Sequence, residues 1–113
     1  MAVSMIKALS MDELAVTLTD PALQAWKVRD GMLHREYRFD TFVDAFSFMT
    51  AVALRAEALS HHPEWSNVYG RVTVDLFTHD SGGITERDVA LALQMERLAA
   101  GRTLSGPARR PNT

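Results

Sequence analysis

Between Phe42 and Leu59 apolar side chains recur at helical spacing so densely that they fill two stripes. Phe42, Phe46, Met49, Ala53 and Ala56 make one, and Val43, Phe48, Val52 and Leu59 make much of the other. A helix resting only on its own core needs one apolar face, so the second stripe predicts contact with another subunit. Asp40 or Thr41 is placed to cap the start. Pro63 biases His62 away from helical angles, which ends the helix near Ser60 and sets His61 and His62 at its C-terminal mouth.

Elsewhere the spacing alternates between helix and strand. Ser10-Met11-Asp12-Glu13 has the capping-box pattern and opens a short first helix that Pro21 stops. The run from Gln24 to Arg29 leads into Asp30-Gly31, a dipeptide suited to a tight hairpin, and Met32 to Phe39 returns as a strand. Met32, His34, Glu36 and Arg38 lie on one side of that strand, with Leu33, Arg35, Tyr37 and Phe39 on the other. Trp65 to Tyr69 and Arg71 to Thr78 read as two further strands around Gly70, with Val72, Val74, Leu76 and Thr78 sharing a face. After the loop Asp80-Ser81-Gly82-Gly83, Thr85-Glu86-Arg87-Asp88 opens a third helix through about Ala100, with Leu91, Ala92, Met95 and Leu98 buried. The order helix, strand, strand, helix, strand, strand, helix predicts an α+β fold, with helices laid on one face of an antiparallel sheet. Its limits are residues 10–100, preceded by an N-terminal extension over 1–9 and followed by a disordered tail over 101–113 that holds Pro107, Pro111 and three Arg.

Composition narrows the function classes. At 113 residues, 47% apolar and 23% charged, the chain is one globular domain with no room for a second cofactor-binding unit. No Cys is present, which excludes a disulfide framework, a thiolate zinc site and a cysteine nucleophile, and makes the cytosol the simplest location. The apolar helix is interrupted by Asp44, Ser47, Thr50, Arg55 and Glu57, too polar for a membrane span, and the first residues lack a secretory pattern. Three of the twelve basic residues lie in the last twelve positions, leaving the body near −5 and giving nucleic acid no clustered basic surface.

Candidate chemistry gathers at element ends. His61, His62 and His79 fall there with Glu57, Glu64, Asp80 and Asp88. Imidazoles exchange protons near neutrality, so this is either a proton-transfer site or a set of polar groups closing helices. Glu57 precedes His61 by four residues and can orient its ring or simply form a surface pair. Asp88, at the third helical position after Thr85, also fits a capping box. His34, within a strand and away from the cluster, reads as structural or exposed. The three histidines with Glu57 or Asp88 offer ligand types acceptable to zinc, but there is no HExxH pair and consecutive ligands point apart; no metal is expected. A phosphate-cradling Gly-rich loop and a GxSxG elbow are absent.

The run Glu57-Ala58-Leu59-Ser60-His61-His62-Pro63-Glu64-Trp65-Ser66-Asn67-Val68-Tyr69, followed by Thr78-His79-Asp80, Gly83-Ile84-Thr85 and Asp88, resembles the pterin-4a-carbinolamine dehydratases over about residues 10–100. The resemblance implies a four-stranded antiparallel sheet with three helices on one face, and assembly as a homodimer or homotetramer. It implies loss of water from 4a-hydroxytetrahydropterin (4a-hydroxytetrahydrobiopterin) to give quinonoid dihydropterin, without a cofactor, in support of tetrahydropterin recycling. On the family pattern His61, His62 and His79 surround the pterin. His61 and His79 transfer protons, while His62 mainly positions the substrate. Glu57 and Asp88 match acidic positions that polarise histidines or bind the amino-pyrimidinone edge. Trp65 either walls the site or belongs to the core. Two departures stand out: Gly70 where relatives often carry Asn, and Phe77 where many carry Ser or Thr. The resemblance also admits a second class of function, a non-enzymatic dimerisation cofactor or assembly chaperone working through the second helix.

Overall fold

The computed structural model describes residues 6–102. Ser10 caps α1 (Met11–Thr17) through a reciprocal box with Glu13, and the Ser10 amide and hydroxyl hold the Glu13 carboxyl below its ordinary value. The chain then departs from the expected strand. Asp20 accepts from the Ala22 amide and caps a 3-10 turn over Pro21–Leu23, so Pro21 starts a turn rather than only ending a helix. What remains of the first strand is β1 (Lys27–Arg29). Asp30 and Gly31, at φ 52° and 76°, make the tight turn into β2 (Met32–Arg38).

Thr41 caps α2 (Phe42–Leu59), and β3 (Glu64–Val68), β4 (Arg71–Leu76) and α3 (Glu86–Ala100) follow. The antiparallel sheet has the order β1-β2-β4-β3, which places the two middle strands Leu33↔Leu76 and Tyr37↔Val72 in register. This is the α+β architecture expected, with three helices and four antiparallel strands. The core lies between Leu33, Tyr37, Val72, Val74 and Leu76 of the sheet and Phe48, Val52, Leu91 and Met95 of the helices.

Two local expectations are corrected. The buried line of α2 is Ala45, Phe48, Val52 and Ala56, which takes Ala56 from one anticipated stripe, Phe48 and Val52 from the other and Ala45 from neither, whereas Phe42, Val43, Phe46, Leu54 and Leu59 are exposed. Small alanines at 45 and 56 let this helix approach the sheet and α3 closely, which rotates the large side chains outward. At the β3–β4 hairpin, where the exchange of Gly70 for Asn in relatives implies access to positive φ at 70, that conformation belongs to Tyr69, at 54°, and Gly70 instead packs closely, a Cβ there falling 2.4 Å from the Phe39 carbonyl oxygen. Asn67 braces this turn by donating its amide to the carbonyls of Tyr69 and Arg71, each at 2.9 Å.

One polar cluster pins α3 to the sheet. The Glu96 carboxylate accepts from the Trp26 indole at 2.9 Å, from Arg35 at 3.2 Å and from the Tyr37 hydroxyl. The Arg35 guanidinium also lies 3.9 Å above the Tyr37 ring. Burial, reinforced by the bond to Glu96, pushes the Tyr37 phenol far above its ordinary 10.0.

Removing the acceptor strands three donors in a part-buried setting, so Glu96→Ala should cost about 3 kcal/mol in urea unfolding, with Glu96→Gln milder. Because folding raises the Tyr37 pKa, its contribution is whole below the unfolded value of 10.0 and is lost as pH climbs toward the folded one. Urea titrations should therefore show stability falling more steeply above about pH 10 in the parent than in Tyr37→Phe.

Candidate active site

The C-terminal end of α2, the end of β4 and the start of α3 meet around a cleft of about 230 Å³. Ser60, His61, His62, Phe77, Thr78, His79, Asp80 and Arg87 line it. The structure thus brings His61, His62 and His79 into one place from two stretches of chain. Ser60 makes this possible. It closes α2 in the left-handed region at φ 53°, its amide bonding back to the helix, and the next residues leave in a new direction.

That turn sends neighbouring imidazoles to opposite environments. The His61 ring is 9% exposed, and its Nε2 lies 2.5 Å from Oδ1 of Asp88, whose side chain is wholly buried. Oδ2 of Asp88 accepts from the Thr78 hydroxyl at 2.8 Å and from the Thr85 amide at 2.9 Å. Since the Thr78 proton goes to Asp88, the Thr85 hydroxyl must donate to Thr78 Oγ1 at 2.7 Å, while Thr85 Oγ1 accepts from the Arg87 amide. Every oxygen in this buried chain is used. Asp88 is therefore both the capping acid of α3 and the anchor of His61.

The other two rings are solvated. His62 places Nε2 2.9 Å from Glu57, and His79 places Nε2 3.1 Å from Glu64. Glu57 is thus next to His62 and not to His61 as the four-residue spacing suggested; the helix ends at Leu59, so helical spacing no longer governs where His61 points. A carboxylate only accepts, so in each neutral ring Nε2 carries the hydrogen and Nδ1 keeps a lone pair. Among the described residues no hydrogen bond engages Nδ1 of His61, His62 or His79. The arrangement therefore presents three nitrogens with a lone pair, each on a ring held through its other nitrogen by a carboxylate.

The sequence reading gave Arg87 no place in the site, though it lines the cleft as an exposed cation, and it grouped Glu64 with the histidines without pairing it to His79. Thr78 carried a readable signal, since a hydroxyl in the inward series Val72, Val74, Leu76 and Thr78 demands a buried partner. Trp65 lies across from Val74, packs against the core and is absent from the cleft lining. His34 lies outside the cleft lining, buried on the sheet face opposite Leu33 and bonded to Asp75 at 2.8 Å. Among the described residues no group of three or more His, Asp or Glu side chains has the geometry to hold a metal ion.

The site is thus an open cleft in a small antiparallel α+β domain, surrounded by imidazoles each bonded to a carboxylate. The family model for pterin 4 alpha carbinolamine dehydratase matches residues 7–98, and the chain belongs to that family. A relative from Solibacter usitatus, named "Putative pterin-4-alpha-carbinolamine dehydratase", is 54% identical over 97 residues, covering 86% of this chain and all of the relative. One from Rhizobium etli under the same name is 44% identical over 86% of this chain and 98% of the relative. Among solved structures, a transcriptional coactivator/pterin dehydratase from Brucella melitensis superposes with a TM-score of 0.78 at 41% identity, covering 82% of this chain and 99% of that one. A pterin dehydratase-like protein described as a RuBisCO assembly factor of the alpha-carboxysome shares the fold, with a TM-score of 0.55 at 23% identity over 66% of this chain and 86% of that one.

Asp88→Asn replaces one accepting oxygen with a donor that must face either the His61 N–H or the pair of donors from Thr78 and Thr85. Thermal unfolding should register a loss of about 2 kcal/mol, roughly 10 °C for a domain of this size.

Proposed function

We propose that this protein is a 4a-hydroxytetrahydropterin dehydratase, releasing water to give quinonoid dihydropterin in support of tetrahydropterin recycling. The observation that supports the reading is the shared arrangement of the three cleft imidazoles, each bonded to a carboxylate through Nε2 and with no hydrogen bond at Nδ1 among the described residues. The reaction needs two proton movements. A protonated ring gives its Nδ1 hydrogen to the C4a hydroxyl as the C–O bond breaks and water leaves. A neutral ring takes the N5 proton, and the freed electron pair forms the C4a=N5 bond. One proton is donated and one recovered, so the enzyme returns to its starting charge with no redox step and no added cofactor.

His61 and His79 take these proton-transfer roles, and His62 orients the ring system. Asp88 acts through His61, because its oxygens are already filled by His61, Thr78 and Thr85. Glu57, largely exposed beside His62, is the carboxylate free to accept from the N–H groups of the amino-pyrimidinone edge. A homodimer or homotetramer in the cytosol belongs to the same proposal. It is supported by the exposed Phe42, Val43, Phe46, Leu54 and Leu59 of α2, a large apolar surface for a lone chain. That surface also supports a second reading, in which α2 docks a protein partner and the protein serves as a dimerisation cofactor or assembly chaperone.

Supplied with enzymatically generated 4a-hydroxytetrahydropterin, the parent should accelerate formation of quinonoid dihydropterin, followed by absorbance. His61→Ala combined with His79→Ala should cut kcat by about 10³-fold or more while circular dichroism and oligomer size stay unchanged. Normal turnover in that double variant would overturn the assignment of roles. A parent without activity that binds a helical partner through α2 would favour the second reading.

A further inference from the structure

We propose that Glu64 and Phe77 form a clamp that positions His79 for proton transfer. This assignment rests on the dehydratase reading for its kinetic consequence. His79 poses a problem that His61 does not: its side chain is 73% exposed, and no buried network holds it. A proton donor or acceptor left to sample several rotamers spends little time in reach of its target. Two contacts restrict it. Glu64 accepts from Nε2 at 3.1 Å, and the Phe77 ring lies edge-to-face against the imidazole, with centroids 5.0 Å apart and planes inclined at 71°. Glu64 begins β3 whereas Phe77 follows the end of β4, and they engage different parts of the ring, so together they fix both its position and its rotation.

The sheet explains why Glu64 is available. In the β3–β4 register Glu64 lies directly opposite Asp75, and like charges so placed repel. Asp75 is turned toward β2, where His34 Nδ1 holds it at 2.8 Å and Arg29 in turn approaches His34 Nε2 at 3.4 Å. Glu64 is thereby left to swing toward the end of β4, where His79 begins a 3-10 turn. The remaining charged or titratable groups on the cleft are His61 and His62 from the end of α2, Asp80 beside His79, and Arg87 from α3. Phe77 also gives the cleft an aromatic wall, and a flat heterocycle bound there keeps solvent from the imidazole that the same ring steadies.

The test uses the full chain, nitrogen-15 NMR of the histidine rings and steady-state kinetics on 4a-hydroxytetrahydropterin. Glu64→Ala and Phe77→Ser should each lower kcat about tenfold with KM changed by less than about twofold. In Glu64→Ala the His79 ring signals should move toward the tautomer mixture of free histidine. Glu64→Gln keeps an accepting amide oxygen and should retain the parent's ring signals and most of its kcat. The double variant should be no slower than the worse single one, since either loss frees the ring. Glu36→Gln, which removes a carboxylate paired with Arg38 on the same sheet face, should leave both kcat and the His79 signals unchanged. The clamp is overturned by His79 signals that do not respond to Glu64→Ala, by single effects that multiply, or by an equal response to Glu36→Gln. Should the parent show no dehydratase activity, the catalytic reading fails, while the ring signals still decide whether Glu64 holds His79.

Discussion

The buried carboxylate of Asp88 is the constraint on which the site depends. It satisfies the Thr85 amide at the start of α3, the Thr78 hydroxyl beyond the end of β4 and the imidazole beyond the end of α2. The Thr78–Gly83 bridge and the burial of Leu76 and Ile84 already draw the end of β4 to the start of α3, and Asp88 ties the residue beyond the end of α2 to both. A wholly buried acid is tolerable only when its oxygens are filled, and here the filling joins the three segments that build the cleft. Cap, cleft floor and anchored histidine are consequences of one satisfied charge.

Around that anchor the imidazoles share a chemical device and differ in rigidity. Each presents Nδ1 with an acid behind Nε2, but His61 is enclosed whereas His62 and His79 are held by exposed pairs. Solvent screening makes such exposed pairs weak, typically under about 1 kcal/mol. The Brucella melitensis protein of the same fold is described as a transcriptional coactivator/pterin dehydratase. Cleft and exposed α2 surface use different residues here, so neither constrains the other chemically.

Much of this was readable in the chain. Both capping boxes, the Asp30-Gly31 turn and the burial of Leu91, Ala92 and Met95 follow from local rules, and the structure holds them where those rules put them. The resemblance carried by Glu57 to Tyr69 and Thr78 to Asp88 named the family and gathered the histidines. Pairings were less legible. Glu57 was assigned toward His61 because helical spacing was extended past a residue that breaks the helix. Which stripe of α2 turns inward depended on how closely Ala45 and Ala56 let it approach, a tertiary matter that periodicity does not encode. The pairing of Glu64 was hidden because its partner lies fifteen residues away, across a hairpin.

The left-handed conformation of Ser60 has a wider consequence. By reversing the chain between Leu59 and His61, it makes two consecutive, identical side chains unequal: one becomes a fixed reference point and the other an adjustable arm. Rigidity is thus apportioned between two neighbours by a single backbone torsion, and nothing in the dipeptide His61-His62 itself says which of them receives it.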